Sequence, residues 1–258
     1  MEIKKAAAAL LEAENAKEPI DPFTSSAEDI SVDDAYQIQL EQIRHKVDNG
    51  AVIVGKKIGL TSKVMQDMFN VSQPDYGHIL DSMMYKNGET ISLEQFIQPK
   101  VEFEIAFVLK RDLKGPNVTI EDVIEATDYV VPAIEIIDSR IKDWKFKFED
   151  TVADNGSSAG AILGGQPVQL NDIDLPSVGM TVYKNGELLD SATGSAVMGN
   201  PLNAVAWLAN ALSSYDISLN KGEVILSGAL SAAVPIEDGD SFTADFAHLG
   251  SVSAAFKQ

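Results

Sequence analysis

The chain has 258 residues, enough to bury a substantial core, and its 45% hydrophobic and 23% charged residues are ordinary for a globular protein. A formal net charge of −19 argues against nucleic-acid binding, because such a potential repels phosphate backbones. The absence of cysteine excludes disulfides and thiolate metal sites. If the protein acts on an anion, its site needs a local cation to reverse the field.

The first fifty residues are predicted to form a helical arm. The apolar run at residues 6–11 is too short for the core of a signal peptide, and no stretch approaches the roughly 18 apolar residues that span a bilayer. We therefore expect a cytoplasmic protein without a membrane partner. Ser31 is predicted to cap a second helix, which Asn49 and Gly50 end.

Strand patterns dominate from residue 51 onwards. The strand-like runs are AVIVGKKIGLTS, VEFEIAFVL, YVVPAIEII, GEVILSG, DSFTADF and SVSAAF. MTVYKNGELLDSATG predicts a hairpin that turns at Asn185-Gly186. VSQPDYGHILDS is rich in turn residues, and FEDTVADNGSSAGAILGG predicts a polar loop entering a glycine-rich strand.

Two short helices interrupt these strands. Thr119 caps one that runs through Thr127, and Asn200-Pro201 opens another that runs to about Tyr215. The sequence therefore predicts an α+β fold with a mixed sheet rolled or closed on itself. We expect a single catalytic domain over residues 1–258, made of the arm (1–50) and a β-rich body (51–258).

Three glutamates form a candidate metal site. Side chains alternate along a strand, so Glu102 and Glu104 share one face of VEFEIAFVL, about 7 Å apart at their Cα atoms. Glu135 lies in the apolar run YVVPAIEII, where a lone carboxylate is costly without a partner. Three oxygen ligands indicate a hard cation, Mg²⁺ or Mn²⁺. The alternative is that the first two glutamates face solvent on an edge strand, and the residues alone leave both interpretations open.

A lysine and an aspartate are further candidates. Lys57 could hold a substrate carboxylate or oxyanion, although the neighbouring Lys56 illustrates the simpler alternative of a surface lysine. Asp75 lies in QPDYGH, where a turn aspartate usually caps local backbone groups. The sequence has no G-x-S-x-G elbow, Walker loop or dinucleotide fingerprint, so serine-nucleophile, nucleotide and hydride chemistries lose support.

Seven blocks, in order along the chain, carry a family resemblance. They are GKKIGLTS, QPDYGHILDSM, PKVEFEIAFVL, DYVVPAIEIIDSRI, DTVADNGSS, GNPLNAVAWLANAL and LGSVSAAF. Together they resemble the 2-oxopent-4-enoate (2-hydroxypentadienoate) hydratases of the fumarylacetoacetate hydrolase superfamily. The resemblance covers residues 31–256. It implies the mixed β-sheet roll of that superfamily, a bound Mg²⁺ or Mn²⁺ and a homo-oligomer.

The resemblance also assigns roles to residues. It places the metal ligands at Glu102, Glu104 and Glu135, and the active-site lysine and aspartate at Lys57 and Asp75. The serine-bearing loop after DTVADN resembles a substrate-side element, so it implies a substrate contact from Ser157 or Ser158.

The implied activity is hydration of 2-hydroxypenta-2,4-dienoate to 4-hydroxy-2-oxopentanoate in aromatic catabolism. One alternative is 4-oxalocrotonate decarboxylation, which the aspartate of QPDYG disfavours because the family's decarboxylases tend to lack it. Others are hydration of a longer dienoate such as 2-oxohept-3-enedioate, C–C hydrolysis of acylpyruvates, and an inactive partner that co-assembles with a decarboxylase.

Overall fold

The computed structural model of the chain describes residues 2–25 and 30–258, so Met1 and residues 26–29 of the predicted arm lie outside the described residues. The α-helices within this part are α1 (Ile3–Ala16), α2 (Val32–Asp48), α3 (Lys63–Met68), α4 (Ile120–Ala126), α5 (Phe148–Ala153) and α6 (Pro201–Leu212). Each described helix is too short or too polar to cross a lipid bilayer.

The strands form two sheets. In chain order they are β1 (Ile53–Gly59), β2 (Asp75–Leu80), β3 (Met84–Tyr85), β4 (Thr90–Ser92), β5 (Lys100–Leu109), β6 (Thr127–Ile137), β7 (Ser158–Leu163), β8 (Gly179–Lys184), β9 (Glu187–Thr193), β10 (Val224–Ala229), β11 (Val234–Pro235), β12 (Ser241–Phe246) and β13 (Gly250–Lys257). The larger sheet has the order β2-β1-β10-β5-β6-β7-β3, with β11 also paired to β5, and the smaller has the order β4-β13-β12-β8-β9. Both sheets are mixed, because β1 and β10, β3 and β7, and β4 and β13 pair in parallel.

The main core lies between the two sheets. One face of β5 consists of five buried apolar side chains, Val101, Phe103, Ile105, Phe107 and Leu109. Phe103 meets Phe242 of the smaller sheet with 6.1 Å between ring centroids, and Phe242 meets Phe256 at the same distance. Fully burying an aromatic side chain of this size contributes about 1.5–3 kcal/mol. The alternation predicted for β5 is therefore confirmed.

Hydrogen bonds attach helix α2 of the N-terminal arm to the sheet-containing body. The Ser31 hydroxyl accepts a hydrogen bond from the Asp34 amide over 3.1 Å, which confirms the predicted start of α2. From the buried face of α2, the Gln39 amide donates to the carbonyls of Tyr76 in β2 (2.9 Å) and Val152 in α5 (2.8 Å). The arm therefore packs directly on the strand that begins with Asp75.

Two segments differ from the prediction. QPDYGH is not a turn around its aspartate, because Asp75 begins β2 and every residue of that strand is buried. FEDTVADNGSS is not a loop throughout, because Phe148–Ala153 forms helix α5. At both places the polar residues belong to a regular element, a strand in the first case and a helix in the second.

Candidate active site

The three glutamates meet because β5 and β6 are neighbours. Glu102 and Glu135 are direct partners across this antiparallel pair, and Glu104 follows on the same face two residues later. One carboxylate oxygen from each residue lies within 4.8 Å of the other two. The edge-strand alternative is wrong, since β5 lies inside the sheet between β10 and β6.

Several oxygens of this cluster lack a donor. Glu104 and Glu135 are fully buried, and Glu102 is partly exposed. One oxygen of Glu104 accepts the Gly228 amide over 2.7 Å. The other Glu104 oxygen and both oxygens of Glu135 accept no hydrogen bond from any described residue. Buried carboxylate oxygens are rarely left in this state, so the donor set fits a hard divalent cation.

Gly228 is required for this arrangement. It has φ +116°, a conformation that favours glycine, and a Cβ there would lie 2.4 Å from the Thr61 side chain. Any larger residue would therefore displace the amide that bonds Glu104.

The carboxyl groups resist simultaneous ionisation. Burial raises the pKa of Glu104 to about 8, and the negative charge of Glu102 adds to the shift. Burial likewise raises the pKa of Glu102 and raises that of Glu135 well above its ordinary value. Protons or a cation must neutralise part of this charge, because like charges at such distances repel strongly in a buried setting.

Lys57 faces the cluster from β1. Its ammonium lies 3.5 Å from the Glu135 carboxylate, and the side chain is buried. Burial alone would lower the pKa of Lys57, but the surrounding carboxylates, Glu135 foremost, raise it above its ordinary value. Lys57 therefore carries a fixed positive charge inside the site.

Lys56 points to the opposite face, but it is not the surface lysine that the sequence suggested. It is 1% exposed, and its ammonium bonds the Glu223 carboxylate over 2.7 Å. Lys56 is therefore part of a buried ion pair between β1 and the residue preceding β10.

Asp75 approaches Lys57 from β2. It pairs with Gly59 of β1, where a Cβ would lie 2.1 Å from the Asp75 Oδ1 atom, so glycine makes room for the carboxylate. Asp75 is 2% exposed, and its Oδ1 accepts no hydrogen bond from a described residue. Burial raises the pKa of Asp75, although the charge of Lys57 opposes the shift. The result is a buried carboxyl group that can hold a proton.

A cavity of about 550 Å³ connects these groups. Lys57, Asp75, Glu102 and Ser157 line it on the inside. Six apolar side chains also line it, and we call them its outer wall: Val64, Met65, Met68, Phe69, Trp144 and Phe146. α3 and the residue after it supply the first four, and the Phe69 and Phe146 rings stack with 5.8 Å between centroids.

The two candidate serines point to different places. Ser157 lines the cavity, and its buried hydroxyl has no hydrogen-bond partner among the described residues. Ser158 lines a second cavity of about 460 Å³, which Asp138 and Arg140 also line. Ser157 has φ +57° within three consecutive left-handed residues that begin at Asn155, a conformation that costs about 1–3 kcal/mol for each non-glycine residue.

Asn155 fixes this turn against β2. Its side-chain oxygen accepts the His78 amide over 2.8 Å, and its nitrogen donates to the His78 carbonyl over 2.9 Å. The imidazole of His78 does not line the cavity but contacts Gln39 of α2. Burial, aided by the charge of Lys56, lowers the pKa of His78 to about 3, so this histidine stays neutral.

The sequence analysis did not predict two further polar residues that line the cavity, Lys100 and Ser231. Lys100 lies two residues before Glu102 on the same face of β5, so extending the alternation by one step would have found it. Ser231, after β10, also lines the cavity and has a buried hydroxyl without a described partner. No local pattern in LSGALSAAV distinguishes that serine from its neighbours.

Known proteins resemble the chain along nearly its whole length. The family model of the fumarylacetoacetate (FAA) hydrolase C-terminal region matches residues 55–257. A 2-hydroxyhexa-2,4-dienoate hydratase from Comamonas testosteroni is 47% identical over 96% of this chain and 95% of its own length. A 2-keto-4-pentenoate hydratase from Paraburkholderia xenovorans (strain LB400) is 45% identical over 98% of this chain and 94% of its own length.

A solved structure has the same fold. The 4-oxalocrotonate decarboxylase from Pseudomonas putida G7, complexed with magnesium and adipate, superposes with a TM-score of 0.94 and is 39% identical, covering 99% of this chain and 98% of that one. This match confirms the predicted α+β fold with its mixed sheets. The chain therefore belongs to the fumarylacetoacetate hydrolase superfamily and, within it, to the 2-hydroxypentadienoate hydratase family of hydro-lyases.

Proposed function

We propose that this chain, acting as one catalytic domain, hydrates 2-hydroxypenta-2,4-dienoate to 4-hydroxy-2-oxopentanoate in aromatic catabolism, with a divalent cation held by Glu102, Glu104 and Glu135. The observation that carries the proposal is the cavity that Lys57 and Asp75 line together with Glu102, one of the three clustered glutamates. A homo-oligomeric, cytoplasmic enzyme remains our prediction.

The cation and Lys57 have complementary tasks. Mg²⁺ or Mn²⁺, when bound, supplies a Lewis acid that polarises the 2-oxo group and offsets the negative field of the protein. Lys57 holds a second positive charge 3.5 Å from Glu135, where it stabilises the substrate carboxylate and the oxyanion at C2. Its raised pKa keeps that charge in place throughout the neutral range.

Asp75 is proposed to handle the protons. Ketonisation moves a proton from the C2 hydroxyl to C5, which brings the remaining double bond into conjugation with the 2-oxo group. Water then adds its oxygen at C4 and a proton at C3. A buried carboxyl group with a raised pKa suits these transfers, because its proton affinity lies closer to that of the reacting groups.

The serines and the outer wall bear on substrate shape. The Ser157 hydroxyl, unpartnered in the cavity, is proposed to contact the substrate, whereas Ser158 lines the other cavity and is a weaker candidate. The six apolar side chains of the outer wall support a monoacid with an uncharged tail over a diacid, since a second carboxylate lying against them would lose hydration. Lys100 also lines the cavity and is the cation that a diacid could reach, so the substrate panel includes a longer dienedioate.

The test is a substrate panel with purified protein saturated with Mg²⁺ or Mn²⁺. The panel contains 2-hydroxypenta-2,4-dienoate, a longer dienedioate, 4-oxalocrotonate and an acylpyruvate, with products identified by mass. We expect the pentadienoate to gain one water. Loss of carbon dioxide from 4-oxalocrotonate as the fastest reaction would favour the decarboxylase, and two fragments from the acylpyruvate would favour a hydrolase. No turnover of any compound would support an inactive partner.

Asp75→Asn tests the proton-handling role. The variant should keep its affinity for Mg²⁺ and for oxalate, a mimic of the chelating end of the substrate, because neither depends on that carboxylate. Hydration should fall by a factor of about 10² to 10⁴, the usual contribution of a positioned acid or base. Unchanged hydration with intact oxalate binding would leave Asp75 as a purely structural residue.

A further inference from the structure

The cavity has a shortage of positive charge for an anionic substrate. Its lining includes the carboxylates of Asp75 and Glu102, and two more carboxylates lie directly behind them in a chain of net charge −19. The cations that line it are Lys57 and Lys100. Lys57 is buried beside Glu135, so Lys100 is the cation available to an anion that has not yet reached the centre.

Lys100 is held in a defined position. It begins β5, and strand alternation puts it on the same face as Glu102, on the side away from Glu104. Its ammonium lies 4.0 Å from the centroid of the Trp144 ring, and the side chain is partly exposed. It forms no salt bridge with a described carboxylate, although the charge of Glu102, two residues further along the strand, acts on it. A cation–π contact orients an ammonium while leaving its charge available to an anion.

The indole under Lys100 is itself fixed. The Trp144 Nε1–H donates to the Gln98 carbonyl over 3.0 Å, and Trp144 has φ +56°, which is uncommon for a bulky residue. Phe146 packs against the same ring with 6.0 Å between centroids. A residue with an uncommon backbone conformation that is fixed by a hydrogen bond at a cavity wall, as Trp144 is, is typical of a functional position.

The surroundings strengthen the influence of this charge. Of the six apolar side chains already named, Phe69, Trp144 and Phe146 are partly buried, and the Trp144 ring replaces water on one side of the Lys100 ammonium. A charge beside an apolar surface acts over a longer distance than one in open water, so Lys100 can attract an anion before the anion reaches the carboxylates.

We propose that Lys100 is a substrate-binding residue that draws the small carboxylate substrate into the cavity and contributes to its binding, without taking part in the chemical step. This inference rests on the proposed function for the identity of the substrate. Uniform binding of this kind raises KM when it is lost and leaves kcat in place.

The experiment compares three variants of the Mg²⁺-saturated enzyme with the wild type. Lys100→Met removes the charge and keeps a stem of similar length, and Lys100→Arg restores a cation that can stack on indole. Lys110→Met is the matched control, because Lys110 is exposed just beyond the other end of β5, roughly 33 Å away along the strand. Each protein is assayed for kcat, KM and oxalate affinity at low and at high ionic strength.

At low ionic strength we expect Lys100→Met to lower kcat/KM and oxalate affinity by about tenfold or more, with kcat within about twofold of wild type. The difference should shrink at high salt, because ions screen exposed charges. Lys100→Arg should stay within about twofold of wild type, and Lys110→Met should be unchanged. If Lys100→Met does not fold, Lys100→Gln takes its place.

Four results would overturn the proposal: an unchanged kcat/KM, an equal loss in the Lys110→Met control, a loss confined to kcat, or a loss seen with dienedioates alone. The last would make Lys100 a holder of a distal carboxylate. Oxalate affinity separates this inference from the proposed function. A wild type that binds oxalate but hydrates no dienoate would refute the function, whereas the variants' oxalate affinities would still decide the role of Lys100.

Discussion

Replacing Lys56 by methionine removes one partner of a buried ion pair. The Lys56 ammonium bonds Glu223 over 2.7 Å, and the two residues are 1% and 5% exposed. Removing one member of such a pair leaves an uncompensated buried charge, which costs about 3–5 kcal/mol. Glu223 keeps two hydrogen bonds from Asn220, from its amide at 2.9 Å and its side chain at 3.1 Å. We therefore expect the free energy of unfolding to fall by about 3 kcal/mol, the lower end of that range.

The assay is urea unfolding at fixed protein concentration, with thermal unfolding alongside. For a chain of this size, about 3 kcal/mol lowers Tm by roughly 6–12 °C. A double-mutant cycle with Glu223→Met separates the pair from its surroundings. The double variant should be more stable than either single variant, because two apolar side chains leave no charge unpaired.

Activity provides the internal control. Lys56 points away from the cavity, so the folded fraction of Lys56→Met should keep a kcat close to that of wild type. A variant as stable as wild type would refute the buried ion pair. A stable variant that has lost turnover would mean that the β1 register, and with it the assignment of Lys57, is wrong.

Three further predictions concern the site itself. Glu104→Gln should stay folded, as judged by circular dichroism, but should lose most of its Mg²⁺ affinity in calorimetry and nearly all turnover. Activity that survives both this change and exhaustive chelation would contradict the metal hypothesis. Lys57→Met should lower turnover by about a hundredfold or more, within the range for one electrostatic stabiliser, and an effect no larger than that of Lys56→Met would argue against its role. Because burial raises the pKa of Glu104 to about 8, a cation must displace its proton below that pH. Mg²⁺ affinity should therefore rise as the pH increases toward about 8, by up to about tenfold per pH unit for each proton released; a flat titration would contradict the raised pKa.

The strand alternation of β5 and β6 carried the sequence prediction furthest. A period of two residues is a local property, so it identified the buried face of β5 and the face that holds Glu102 and Glu104. Glu135 lies beside them because β5 pairs with β6, and no local pattern predicts that pairing. The apolar context of Glu135 indicated only that this carboxylate needs a partner. The capped start of α2 and the hairpin turn at Asn185-Gly186 were likewise local, and both are confirmed.

Where partners are distant in sequence, the prediction was wrong. Lys56 looks like a surface lysine because its counter-ion, Glu223, lies 167 residues away. Asp75 looks like a turn residue because glutamine and proline precede it, yet pairing with β1 makes it the start of a buried strand. Trp144 gives no sign in sequence that it supports Lys100, since their contact depends on a loop with left-handed residues.

The carboxylate cluster and the outer wall of the cavity lie on different kinds of segment, and this has an evolutionary consequence. The three carboxylates sit on two paired central strands, where inserting one residue would turn every following side chain to the opposite face. The outer wall instead comes from the short helix α3 and from the loop around Trp144 and Phe146. Surface segments of this kind tolerate insertion and substitution far better than sheet interiors. New substrate tails are therefore accessible to this scaffold by mutation of the wall alone, while the reaction centre is inherited unchanged.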